Sequence, residues 1–137
     1  MIYRFRIILD NDTDEDIFRD LEIRETDTLE DLHNIITQSF GFDGTEMASF
    51  YLSNDTWDQG EEISLFDLSE DASARLMNET SLDSVVHEVQ TKLIYVYDFM
   101  SMWTLCLFKV KFQIQHLKNY LKLIRMKIIT NLKMVLM

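Results

Sequence analysis

Thr28-Leu29-Glu30-Asp31-Leu32-His33-Asn34-Ile35-Ile36-Thr37-Gln38-Ser39-Phe40-Gly41 reads as a helix with both of its ends written into the sequence. The Thr28 oxygen is placed to accept an amide of the first turn while the Asp31 carboxylate, three residues on, reaches back to the Thr28 amide. Leu29, Leu32, Ile36 and Phe40 then recur at helical spacing, and Gly41 is a suitable stop because it adopts the left-handed backbone of a helix end without a side-chain clash. The sequence predicts a single apolar stripe on this helix, and such a stripe must be buried against another element.

The segments on either side supply that element. Ile2 to Leu9 alternates apolar residues with Arg4 and Arg6 and is rich in β-branched and aromatic residues, so it reads as a strand, and Ile17 to Ile23 reads as its partner across an acidic turn. Met47 to Ser53 predicts a third strand, followed by a polar loop, Asn54 to Glu62, that contains Gly60. Ile63 to Leu68 and Leu82 to Val86 are short apolar stretches expected to pack as brief strand or helix turns, and Ser69 to Thr80 has no firm period. Lys92 to Phe99 and Met102 to Phe108, linked through Met100 and Ser101, predict a closing β-hairpin. The order of elements resembles that of ubiquitin. It implies an α+β domain over residues 1–108, a β-grasp-type mixed sheet packed on one main helix.

Charge divides the chain into two unlike parts. All 24 acidic residues lie at or before Asp98, and residues 1–108 hold six basic residues, a formal charge of −18. The last 29 residues, 109–137, carry seven basic residues and no acid. An acidic body repels a phosphate backbone, so its surface is expected to meet a basic protein and not nucleic acid. In the tail, Val110, Ile114, Leu117, Leu121, Ile124, Ile128 and Val135 fall near one side of a helix, with Lys111, Lys118, Lys122 and Arg125 elsewhere, which predicts a basic amphipathic helix. A competing reading is a non-native, out-of-frame ending, since 22 of the 29 tail residues are Lys, Ile, Asn, Phe, Tyr, Met or Leu, all encoded by codons rich in A and T. The tail's lysines interrupt its apolar residues too often for a membrane span. With one cysteine, no internal disulfide and no signal-peptide pattern, the cytoplasm is the expected location.

Few residues suggest chemistry. Asp10, Asp12 and Asp14 have the spacing that opens a calcium loop, but Glu15 and Leu21 stand where glycine and a bidentate glutamate are needed, so a solvated acidic turn is expected. His33, His87 and His116 are isolated, and without ligand spacing no metal site or cofactor is predicted. Cys106, within Leu105-Cys106-Leu107-Phe108, reads as a small buried hydrophobe. His33 on the edge of the helix stripe, Asp98 between Tyr97 and Phe99, and Trp103 remain as candidate binding residues. For Asp98 the structural reading, a strand end, is preferred.

Three stretches together resemble the plasmid pRiA4b ORF-3-like family: the first strand, the segment Thr28 to Ile36 with its ending Phe40-Gly41-Phe42, and Tyr95-Val96-Tyr97-Asp98-Phe99 followed by Trp103. The resemblance implies a family without an established activity, whose relatives are often labelled as resolvases or passenger proteins of insertion elements. Many relatives have His-x-His-x-Phe at the third strand, where this chain has Met47-Ala48-Ser49-Phe50-Tyr51, and Gly-Asp before the tryptophan, where it has Met100, Ser101 and Met102. Roles built on those residues do not transfer. Recombination would also need arginines clustered beside a nucleophile, whereas Arg4, Arg6, Arg19, Arg24 and Arg75 are scattered. The expected function is therefore a non-enzymatic protein-interaction module. The alternatives are a ligand-binding or enzymatic domain using His33 and Asp98, and a mobile-element DNA function.

Overall fold

A computed structural model describes residues 1–10 and 17–110. The elements in chain order are β1 (Ile2–Leu9), β2 (Phe18–Arg24), α1 (Leu29–Phe40), β3 (Ala48–Leu52), β4 (Glu62–Ser64), a 3-10 turn at Met77–Glu79, the one-turn helix α2 (Leu82–Val85), β5 (Lys92–Tyr97) and β6 (Trp103–Lys109). The six strands form one sheet in the order β2-β1-β6-β5-β3-β4. The fold is thus α+β, with a six-stranded sheet and few helices.

Every ladder in the sheet is antiparallel, which corrects the expected mixed sheet. The closing hairpin makes β6 run against β5, and the register of β6 on its other edge, from Phe5 opposite Lys109 to Leu9 opposite Leu105, runs it against β1 as well. Among the described residues, a parallel contact is confined to an isolated bridge between Ser64 and Leu76. The expected turns at Ile63 to Leu68 and Leu82 to Val86 shorten to β4 and α2. The tail expected as a basic helix lies outside the described residues, but Lys109 belongs to β6 and the Val110 amide donates to the Arg4 carbonyl at 2.8 Å, so the domain runs at least two residues past Phe108.

Helix α1 forms as its caps dictate. The Thr28 oxygen accepts from the Asp31 amide at 3.2 Å, and the Thr28 amide donates to the Asp31 carboxylate at 3.0 Å. At the other end Gly41 takes φ 74°, and the Phe42 amide donates to the Thr37 carbonyl at 2.9 Å. The buried stripe is Leu29, Leu32, His33, Ile36 and Thr37. It shares one core with the inward residues of the sheet, among them Phe5, Ile7, Phe50, Leu93, Tyr95, Leu105 and Leu107, all fully buried. The 3-10 turn and α2 close this core through Met77, Leu82 and Val86. Their backbone is tied to the start of α1, with the Leu29 amide donating to Thr80 and the Leu82 amide donating to Asp27.

Because the cap satisfies amides that no helical carbonyl can reach, Thr28→Ala is expected to cost about 1 kcal/mol and to lower the thermal midpoint by roughly 3–5 °C. Circular dichroism melts measure this, and an unchanged midpoint would show that the tertiary ties at Thr80 and Asp27 hold the helix start without the threonine.

Candidate functional site

The chain reversal at Gly41 decides where the site lies. The left-handed turn brings Phe42 back over the sheet beside Phe40, the last helical residue, and the two rings stack with centroids 6.2 Å apart. Phe42 also stacks on Tyr97 at the end of β5, at 4.6 Å and 11° between planes, and meets Trp103 at the start of β6 at 5.9 Å. Leu9 from the end of β1, Ile17 just before β2 and Arg19 within it complete an open groove of about 480 Å³ with Phe40, Gly41, Phe42 and Trp103. Its walls are mostly apolar. Arg19 is the cation among them, with its guanidinium 5.4 Å above the Phe40 ring and one amine donating to the Phe18 carbonyl at 2.9 Å.

The Tyr97 hydroxyl fixes the loop that carries Phe42. It donates to the Asp43 carboxylate at 2.6 Å and accepts from the amides of Gly44 and Glu46 at 3.0 and 3.3 Å. The Tyr97 and Thr45 hydrogen bonds hold the Asp43 carboxyl below the usual carboxylate range, so Asp43 stays ionised at the groove's edge. Next to the groove, the β5–β6 turn exposes Phe99, Met100 and Met102, and Trp103 itself is 36% exposed. Met102 has φ 55°, a backbone that suits glycine better and costs a methionine about 1–2 kcal/mol. The hairpin tip therefore holds an exposed methionine in a strained position beside an aromatic groove.

The three expected binding residues occupy different settings. Trp103 lines the groove. Asp98 is a turn residue, with φ 57°, whose carboxylate accepts from the Met100 amide at 3.1 Å and whose carbonyl accepts from the Met102 amide at 2.6 Å. His33 is buried on the core side of α1, its Nδ1 lying 2.7 Å from the Tyr95 hydroxyl. Among the described residues no hydrogen bond or ion pair joins His33 to Asp98. Burial lowers the pKa of His33 and raises that of Tyr95, so the two partners share their bond as neutral groups.

Asp12 and Asp14, needed for the calcium spacing, lie outside the described residues, as does His116. Among the described residues no three His, Cys, Asp or Glu side chains gather closely enough to hold a metal ion. Cys106 is half-buried on the sheet face opposite α1, and burial pushes its thiol up to about 11. No helix among the described residues is long and apolar enough to cross a membrane. Sequence reasoning missed Phe40, Phe42, Arg19 and Tyr97 as site residues. A signal was available in Phe40-Gly41-Phe42, since a left-handed glycine between two aromatic residues sets both rings at the same helix end.

The sign of the His33 effect follows from its lowered pKa. Below the ordinary value near 6.5 the unfolded chain binds a proton that the folded chain refuses, so this residue's contribution to stability falls as pH falls. On going from about pH 7.5 to about pH 5.5, wild type is expected to lose more urea stability than His33→Gln, and an equal or smaller loss would contradict the neutral buried pair.

The model of the plasmid pRiA4b ORF-3-like protein family matches residues 1–123. Among curated proteins none matches the sequence. The crystal structure of a protein of unknown function from Methanosarcina mazei Go1 is similar, with a TM-score of 0.67 at 18% identity over 80% of this chain and 59% of that one. At that identity the likeness is one of fold, and this chain spans 59% of that protein's length. The antiparallel α+β domain described above, with its capped helix and Phe-Gly-Phe ending, belongs to the plasmid pRiA4b ORF-3-like family.

Proposed function

We propose that this domain is a non-enzymatic protein-interaction module whose Phe40–Phe42–Trp103 groove takes an apolar side chain from a basic segment of a partner protein. The observation that carries the reading is the aromatic groove beside an exposed apolar hairpin tip, because large exposed apolar surface on a domain this size is characteristic of a contact site. Charge supplies the choice of partner. Asp10 and Asp43 flank the groove's lining residues, the sequence between Asp10 and Ile17 adds Asp12, Asp14, Glu15 and Asp16, and residues 1–108 as a whole are strongly acidic. Arg19 is directed at the Phe40 ring and serves as a wall of the groove.

The body's cations support a protein over a phosphate backbone as the partner. Arg4, Arg6, Arg24, Arg75 and Lys92 are each paired with a carboxylate, from Glu22, Asp20, Asp27, Glu61 and Asp55 respectively. A phosphate would have to break these pairs before gaining its own. The separate settings of His33 and Asp98 weigh against an active site built on both. A cytoplasmic setting belongs to the same reading, supported by a single cysteine with no partner for an internal disulfide. We also read the scaffold as a β-grasp variant, because one capped helix follows an N-terminal hairpin and lies across its sheet.

A Lys/Arg-rich peptide with a central phenylalanine, titrated calorimetrically, tests the proposal. Binding is expected to weaken as salt rises, and Trp103→Ala is expected to reduce it about tenfold or more, while an acidic peptide of the same pattern does not bind. Equal binding of both peptides, or a Trp103→Ala affinity equal to wild type, would overturn it.

A further inference from the structure

The two edges of the sheet differ in how their main chain is used. At the β4 edge the Ser64 amide donates to the Arg75 carbonyl at 2.8 Å and Ser64 bridges to Leu76, so the chain itself covers that strand. β2 forms the other edge, with β1 on one side of it. The β1–β2 ladder fixes which way its main chain points. The Leu9 amide donates to Ile17 at 2.9 Å and the Glu25 amide to Met1 at 3.0 Å, and in that register Arg19, Leu21 and Ile23 also turn their amides and carbonyls to β1. Asp20 and Glu22 turn theirs outward. Among the described residues no hydrogen bond reaches these outward amides and carbonyls. Glu22 is exposed, and Asp20 is half-buried although its side chain is only 6% exposed, so the part of Asp20 that meets solvent is main chain.

We propose that this edge takes the partner's basic segment as an added antiparallel strand, whose apolar side chain enters the groove from the Arg19 side. The inference rests on the groove reading above and adds the conformation in which the segment binds. Continuity carries it. Arg19 belongs to the edge strand and also lines the groove, with its guanidinium 5.4 Å above the Phe40 ring. Antiparallel pairing is the sense of every ladder in this sheet. On such a strand the residues opposite Asp20 and Glu22 exchange hydrogen bonds with them. The residue opposite Arg19 turns its own amide away from β2 and puts its side chain on the α1 side, beside Phe40. One extended segment with a phenylalanine opposite Arg19 therefore pairs the open edge and enters the groove together. A second copy of the chain is the less suitable occupant, because two chains of formal charge −11 repel each other, whereas a basic segment is attracted. The charged side chains of Arg19, Asp20, Glu22 and Arg24 also guard this edge against pairing with itself.

Hydrogen exchange followed by NMR on the full chain tests this with the Lys/Arg-rich phenylalanine peptide. In the free chain the Asp20 and Glu22 amides are expected to exchange rapidly while the Leu21 amide is slow, and saturating peptide is expected to slow Asp20 and Glu22 at least about tenfold. Protection of both amides in the free chain would overturn the proposal, because the edge is then already filled. Binding that leaves both amides fast would overturn it as well, while leaving the groove reading in place. A peptide that does not bind at all removes the groove reading and this inference together. The register gives a second measurement that needs no altered protein. N-methylation of the peptide residue before the phenylalanine, which faces Asp20, is expected to weaken binding about tenfold, and N-methylation of the phenylalanine itself to change it by less than about twofold. Equal losses at the two positions would overturn the added strand.

Discussion

The pairing of β6 with β1 is the contact on which the rest of the structure depends. From Phe5 opposite Lys109 to Leu9 opposite Leu105, it joins segments about a hundred residues apart and fuses the N-terminal hairpin to the four-strand portion built on β5 and β3. Without it, α1 would have no continuous surface on which to bury Leu29, Leu32 and Ile36. The pairing closes a long loop, which is entropically unfavourable, and it is stabilised by the inward rows of Phe5, Ile7, Leu105 and Leu107 that it brings into one core.

The same register sets both faces of the sheet. It sets Leu9 and the start of β2 next to the start of β6, and so makes one groove from Ile17, Arg19, Phe42 and Trp103. On the other face it aligns Ile8 with Cys106 and Ile94. A slip of one residue would turn Cys106 toward α1 and Leu107 away from it, dismantling the row and the groove together. The polar groups inside this frame are satisfied locally. His33 is matched to Tyr95 and the Tyr97 hydroxyl serves Asp43, Gly44 and Glu46, leaving the groove's aromatic rings as the chemistry presented outward.

Several features were legible in the residues because their causes are local. The Thr28–Asp31 capping box and the Gly41 stop act within a few residues of themselves, so α1 was readable to both ends. The alternation of β1 and the paired apolar runs around Met100 and Ser101 likewise marked strands, and the Asp98 turn was the reading preferred for that residue. The site was much less legible. Trp103 was singled out, but the Phe40–Phe42 helix end and the Ile17–Arg19 segment lie far from it along the chain, and nothing in the sequence states that the three meet.

By itself the sequence determined the helix and its limits, most strand positions, the split between acidic body and basic tail, and the residues that carry the family resemblance. Each of these depends on near neighbours along the chain or on composition. Only the tertiary structure decided that β6 enters between β1 and β5, that the sheet is antiparallel throughout, that His33 faces Tyr95 while Asp98 caps a turn, and that four separate elements line one groove. Those outcomes follow from which strand edges pair and in what register. That choice is made by burial over the whole core, and no single segment contains it.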